Sequence, residues 1–200
     1  MHISSDALPR IAVVIGSNRP GRICPEIAAW VQRALRATEL LEVELVDLQE
    51  LDLPFLDEPV MASRGRYEYE HTVRWSELVR SYDGFVFVFP QYNWGYPAVL
   101  KNALDFLYHE WGNKPAALVT YGTRGGGLAA TQLKQVLQGM HMRSTETNIE
   151  LKTDEAMLTD DGNFHDVDAA CGDYVGQVSA LATELDSLTG TELPLLKEPA

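Results

Sequence analysis

Apolar residues along this chain follow two rhythms, and their alternation predicts its architecture. Residues 10–15, RIAVVI, form a short apolar run stopped by Gly16, the pattern of a parallel strand buried on both faces. From Pro25 onward, Ile27, Trp30, Val31, Ala34 and Leu35 recur at three-to-four-residue spacing, which predicts a helix with one buried face. VELVDL (43–48) then predicts a second strand, 51–65 with Pro54 and Pro59 a long loop, and about 71–82 a helix with Trp75, Leu78 and Val79 inward. Asp83 and Gly84 turn the chain into FVFVFP, an all-apolar strand ended by Pro90.

The alternation continues to the C-terminal quarter. Pro97 suits the first turn of a helix, whose buried face carries Val99, Leu100, Ala103, Leu104 and Leu107. AALVTY (116–121) predicts a fourth strand, and Leu128, Leu133, Val136, Leu137 and Met140 the helix after it. The polar stretch STETNIEL (144–151) predicts a weak fifth strand at a sheet edge. Val167, Ala170, Tyr174, Val178, Leu181 and Leu185 trace one final helix, on which Gly172 and Gly176 would permit close packing. Five strands alternating with helices imply right-handed crossovers, hence an α/β fold with a parallel sheet and helices on both faces. No repeat, linker or low-complexity segment divides the chain. The expectation is one domain over 1–200, with its core at about 10–186 and an acidic C-terminal tail at 187–200.

Composition narrows the classes. Hydrophobic residues at 46 % and charged residues at 22 % are globular values, against a disordered, collagenous or coiled-coil chain. No apolar run approaches the ~18 residues of a membrane span, and the start MHISSDALPR has no basic-then-apolar leader pattern, so the expectation is a soluble, cytoplasmic protein. Two cysteines, Cys24 and Cys171, make no disulfide framework. Sixteen basic against 29 acidic residues give a net charge of −13, which disfavours a nucleic-acid surface. Residues 150–200 supply −10 of that charge, so the rest of the chain is almost neutral and remains compatible with a small anionic ligand.

In a sheet of this kind ligands bind beyond the carboxyl ends of the strands, and three loops there have unusual chemistry. Gly16-Ser17-Asn18-Arg19-Pro20-Gly21-Arg22 runs into a helix start, where free backbone N–H groups and the helix dipole favour an anion. The Ser17 hydroxyl and the guanidiniums of Arg19 and Arg22 add donors suited to a phosphate. Pro90-Gln91-Tyr92-Asn93-Trp94-Gly95-Tyr96-Pro97 concentrates three aromatic rings and two amides, which suit a planar heterocycle with hydrogen-bonding edges. Tyr121-Gly122-Thr123-Arg124-Gly125-Gly126-Gly127 can bring backbone close to a ligand, because glycine lacks Cβ.

Other chemistries fail on their own residues. Gly16 to Gly21 has the spacing of a nucleotide-hydrolase phosphate loop, but Arg22 and Ile23 replace its Lys and Ser/Thr, and no G-x-G-x-x-G follows the first strand. His109-Glu110 opens like a zinc motif without the second histidine. Cys24 lies at the helix start beside the phosphate loop, where a thiol pKa can fall; a small structural residue is the better reading.

GSNRPGR, PQYNWGYPAVLKNALDFL and KPAALVTYGTRGGGLAATQL together resemble the NADPH-dependent FMN reductase family of flavodoxin-like proteins, over roughly residues 10–150. The resemblance implies a flavodoxin-like sheet of order 2-1-3-4-5, non-covalent FMN, NADPH or NADH as co-substrate, and a homodimer or homotetramer. It also implies that Ser17, Arg19 and the amides of Arg22, Ile23 and Cys24 hold the phosphate, while Pro90, Gln91, Tyr92 and Asn93, with Trp94 beside them, and Tyr121, Gly122, Thr123, Arg124, Gly125 and Gly126 frame the isoalloxazine. Departures stand at Arg22, where many relatives have serine, near Cys24, where many have asparagine, at Gln91, where many have glutamate, and at Thr123, where glycine is common. The activity implied is hydride transfer from NADPH to bound FMN and onward to a quinone, flavin, azo or metal acceptor, with the flavin rather than a protein acid or base carrying the chemistry. The alternatives are a flavodoxin-like electron carrier and a flavin-free scaffold. Trp94, Tyr96, Tyr108 and Trp111 together supply more aromatic surface than a monomer's rim needs, which favours self-association.

Overall fold

Strands buried on both faces have no polar side to show. In the computed structural model, which describes residues 7–190, the apolar runs form the middle of one five-stranded sheet. The strands β1 (Arg10–Ile15), β2 (Glu42–Asp47), β3 (Gly84–Pro90), β4 (Pro115–Gly122) and β5 (Arg143–Lys152) are ordered β2-β1-β3-β4-β5 and every pairing is parallel. All seven residues of β3 are buried, whereas β2 and β5, at the edges, expose alternate positions. The polar fifth strand is therefore an edge strand, as its composition predicts. It carries an irregularity opposite Ala116–Leu118, where the Glu184 carboxylate accepts hydrogen bonds from the Glu146 and Thr147 amides at 2.9 and 3.3 Å.

The sheet's two faces are assigned to different helices by the period-two alternation of its strands. The helices are α1 (Cys24–Arg36), α2 (Leu48–Leu51), α3 (Glu70–Arg80), α4 (Ala98–Asp105), α5 (Gly127–Gly139), α6 (Val167–Cys171) and α7 (Val175–Thr189). Val86 and Val88 pack with Ile27 and Val31 of α1 and Leu181 of α7. Phe85, Phe87 and Phe89 pack on the other face with Trp75 of α3, Leu104 of α4 and Leu133 of α5.

Several sequence readings change. The final helix is two, because the chain tightens into a 3-10 turn at Gly172–Tyr174 between α6 and α7. Gly172 opens this turn and Gly176 lies in α7 beyond it, and a Cβ on either would meet nothing within 4 Å, so neither serves close packing. Leu107 lies past the end of α4 yet is buried. Of the acidic segment 187–200, residues 187–189 belong to α7 and 191–200 lie outside the described residues. Trp111 is fully buried against Trp75 and Phe85, a core residue rather than a rim aromatic.

The long loop after α2 is fastened along its length. Asn102 of α4 holds it by accepting from the Leu56 amide at 3.0 Å and donating to the Pro54 carbonyl at 2.7 Å. Farther on, the Glu110 carboxylate accepts from Tyr67 at 2.9 Å, Ser76 at 2.7 Å and Arg80 at 2.9 Å. Glu110 belongs to the incomplete zinc-like motif, and its neighbour His109 bonds the Ser63 carbonyl at 2.8 Å. Both residues are therefore structural. Burial alone would raise the Glu110 pKa, but the three donors outweigh it and hold the carboxyl below the ordinary glutamate range.

Glu110→Ala should lower the unfolding free energy by about 1 to 3 kcal/mol, because it strips the shared acceptor from three donors. Because the folded-state pKa is depressed, Glu110 stabilises fully above the unfolded glutamate value of ~4.3 and loses its contribution as pH falls through the lower folded value. Denaturant titrations of wild type and Glu110→Gln between pH 3 and 7 should thus converge at the acid end. Parallel pH profiles would refute the assignment.

Candidate functional site

The order of the sheet reverses direction between β1 and β3, and the carboxyl ends of these strands open the crevice where doubly wound sheets take ligands. The three loops singled out above leave β1, β3 and β4 at this end. The first is anchored by a close approach. Gly16 donates to the Val88 carbonyl at 2.8 Å, and a Cβ there would lie 3.0 Å from that oxygen and 3.1 Å from the Phe89 Cβ. From Gly16 the loop turns through Arg19 and Gly21 into α1, which begins with Ile23 at its cap position and no side-chain hydrogen bond to its free amides. The α1 N-terminus is an uncapped set of donors.

Side chains around this start divide into buried and exposed. Ser17 is fully buried, with its hydroxyl 3.1 Å from that of Tyr92 on the second loop. Ile23 and Cys24 are buried, so only their backbone faces the crevice. The Cys24 thiol donates to the Val88 carbonyl at 3.2 Å, and burial pushes its pKa up to about 12. That agrees with the reading of Cys24 as a small structural residue rather than a thiol of lowered pKa. Arg19 is exposed and pairs with no carboxylate among the described residues. Arg22 does not extend toward the crevice as a free cation. Its guanidinium forms a two-pronged ion pair with Asp47, at 2.7 and 2.6 Å, and also donates to the Ser17 carbonyl. Asp47 was not among the residues expected at the site; its sequence signal is an acidic residue ending a strand at the ligand end of the sheet.

The second loop is a tight turn. Tyr92 and Gly95 exchange two backbone hydrogen bonds of 2.8 Å, leaving Asn93 and Trp94 between them with φ of +46° and +71°. Asparagine tolerates this conformation, but a bulky aromatic there is strained, and such strain clusters at functional sites. The turn leaves Trp94 68 % exposed and Tyr92 37 % exposed. Gln91 is pinned instead, donating its amide to the Tyr121 carbonyl and accepting from the Ala129 amide at 3.2 Å.

The third loop brings backbone to the same end. Gly126 caps α5 at φ +92°, and a Cβ there would lie 2.9 Å from that of Thr120. Thr120 donates to the Gly125 carbonyl at 2.7 Å. Tyr121 is different from the rest, since its side chain is buried beside the Cys24 thiol and burial raises its pKa. Pro90 is likewise buried, whereas Thr123 and Arg124 are exposed. Sequence reasoning also missed Glu150 of β5. A Cβ on Gly127 would sit 2.7 Å from its carboxylate oxygens, so a carboxylate lies against the first residue of α5.

The two helix starts therefore differ in what they accept. At α5, the Gln91 side-chain oxygen already accepts the Ala129 amide and the Glu150 carboxylate lies against Gly127. At α1 the amides lack a side-chain partner and lie beside the Ser17 hydroxyl and the exposed Arg19. The donor set fits a phosphate at α1, with exposed rings, an amide side chain and glycine-rich backbone beside it for a planar polar heterocycle. Among the described residues, no group of three or more His, Cys, Asp or Glu residues could hold a metal ion.

Comparison with known proteins gives the chain a family. Residues 9–152 match the family described as NADPH-dependent FMN reductase. An NAD(P)H-dependent FMN reductase of Schizosaccharomyces pombe is 48 % identical over 141 residues, 70 % of each chain. One from Nectria sp is 34 % identical over 203 residues, 96 % of this chain and 99 % of the other. Among solved structures, a flavoenzyme NAD(P)H:(acceptor) oxidoreductase of Paracoccus denitrificans superposes with a TM-score of 0.70 at 23 % identity, covering 90 % of this chain and 98 % of that one. That likeness is one of fold.

Gly126→Ala should abolish ligand binding at this end while leaving the sheet folded, because the new Cβ meets Thr120 in a backbone conformation that alanine resists. Far-UV circular dichroism with flavin titration checks it. A folded variant that binds flavin as wild type does would show that the loop's shape is not required.

Proposed function

The chain belongs to the NADPH-dependent FMN reductase family, and from that premise we propose how its residues serve the reaction. The protein is an FMN-dependent NAD(P)H oxidoreductase. FMN, when held there, would supply the hydride acceptor for the reduced nicotinamide and the electron donor for a second substrate. The protein binds, orients and shields.

Ser17, Arg19 and the amides of Arg22, Ile23 and Cys24 hold the FMN phosphate. Pro90, Gln91, Tyr92, Asn93 and Trp94, with the segment from Tyr121 to Gly126, frame the isoalloxazine. The observation that carries this reading is the contrast between an α1 start with no side-chain acceptor, beside Ser17 and Arg19, and an α5 start where the Gln91 side chain already accepts the Ala129 amide and the Glu150 carboxylate lies against Gly127. Exposed Trp94 and Tyr92 supply flat surface at the mouth, and exposed Arg124 supplies a cation for the extra phosphate of NADPH. The acceptor is a small molecule of the quinone, flavin, azo or metal class. An electron carrier needs no room for a nicotinamide, and Arg124 of the glycine-rich loop, which makes no ion pair among the described residues, favours the enzyme over that alternative.

The same reading makes the chain one flavodoxin-like domain and a cytoplasmic homodimer or homotetramer. No helix among the described residues is long and apolar enough to cross a membrane. Phe55, Leu56 and Met61, 87 %, 48 % and 65 % exposed, leave apolar surface on the loop fastened to α4, which supports self-association. Light scattering at micromolar concentration should return at least twice the 22.3 kDa of one chain; a monomer mass would remove the oligomer from this account.

Purified protein should be yellow with about one FMN per chain, and FMN should bind at least ~10-fold more tightly than riboflavin, since one charged hydrogen bond to phosphate contributes roughly 1.5 to 3 kcal/mol. Anaerobic NADPH should bleach the flavin and a quinone restore its colour. Flavin that dithionite reduces but neither nicotinamide does would move the protein to the carrier class.

A further inference from the structure

Arg22 and Asp47 form an ion pair whose side chains are only 12 % and 11 % exposed, beside a loop meant for an anion. A guanidinium there invites the reading of a phosphate ligand, but its hydrogen bonds go elsewhere. Two of them end on Asp47 and another on the Ser17 carbonyl. Asp47 in turn caps α2, accepting from the Gln49 amide at 2.9 Å. One carboxylate thus ties the end of β2, the start of α2 and, through Arg22, the chain at Ser17. We propose that Asp47 is a positioning residue for the FMN phosphate: it clamps Arg22 onto the Ser17 carbonyl, shaping the loop for an anion while keeping that guanidinium off the phosphate.

The physical case has two parts. A carbonyl oxygen turned into an anion site repels its ligand; one held on a guanidinium leaves the neighbouring amides to face the phosphate. In addition, a pair this well buried and doubly bonded has its charges matched, so Arg22 adds little net field at the crevice, and Arg19 supplies the free positive charge. Separating the pair to reach a phosphate would leave Asp47 buried and unpaired beside a second anion. A lysine at 22 could not replace the arginine, since an ammonium lacks the planar fork that meets both carboxylate oxygens while serving the carbonyl.

This inference rests on the phosphate assignment above, and the test separates the two. Full-length wild type, Asp47→Asn, Arg22→Ala, Arg22→Lys, Asp47→Asn/Arg22→Ala and Arg19→Ala are stripped of flavin and titrated with FMN and with riboflavin, following flavin fluorescence at several salt concentrations. Asp47→Asn and Arg22→Ala should each weaken FMN about 10-fold, the effect of losing one charged hydrogen bond's ordering, and riboflavin less than about 2-fold. Retained riboflavin binding shows that each variant is folded. The double variant should be no weaker than the weaker single variant, because the pair acts as a unit. Arg22→Lys should behave like Arg22→Ala. Arg19→Ala should flatten the salt dependence of FMN binding, and the charge-neutral double variant should leave it unchanged.

If Arg22 is instead a phosphate ligand that Asp47 restrains, Asp47→Asn will tighten FMN and the double variant will flatten the salt dependence. Either result overturns the proposal, as does additivity in the double variant. Equal wild-type affinity for FMN and riboflavin would overturn the phosphate assignment itself.

Discussion

The contact between the end of β1 and the backbone of β3 is the constraint from which the ligand end is built. Gly16 approaches so closely that the Val88 carbonyl accepts its amide, and the same oxygen accepts the Cys24 thiol one loop later. Both ends of the first loop are therefore fastened to one carbonyl. With the loop fixed there, α1 starts beside the point where the strand order reverses, and its free amides face the crevice. A side chain at Gly16 would push against Val88, Phe89 and Leu100 together, displacing α1 from β3 and the amides with it.

Around this point the three loops are coupled by polar contacts more than by packing. Ser17 reaches Tyr92, Gln91 reaches the α5 amides, and the Gly122 carbonyl accepts from Thr153. Each loop is thereby referred to the next by a hydrogen bond. The far end of the sheet is different: Trp75, Phe85 and Trp111 form an aromatic cluster, and Glu110 gathers three donors beside it. Stability is concentrated at one end and ligand chemistry at the other.

The fold was legible because its strands are extreme. FVFVFP and AALVTY can only be central, and STETNIEL can only be an edge, so the sequence pattern alone located all five strands within a residue or two. The split of the last helix was not legible, since Val167 through Leu185 keep a helical period across the turn at Gly172. At the ligand end the sequence located the loops, because glycine, proline and aromatics are locally distinctive. It could not tell a guanidinium facing a ligand from one facing Asp47, because that partner is 25 residues away and its approach depends on the register of β1 with β2. Glu150 was hidden for the same reason: its closeness to Gly127 arises from the pairing of β4 with β5.

Trp94 gives the molecule an optical property that follows from its strained turn. The chain has four tryptophans, and Trp30, Trp75 and Trp111 are 4 %, 2 % and 0 % exposed, against 68 % for Trp94. Long-wavelength excitation and a water-borne quencher such as iodide both select the solvent-facing indole. The red edge of the intrinsic emission therefore belongs to a single ring at the mouth of the crevice, a built-in reporter of what enters it.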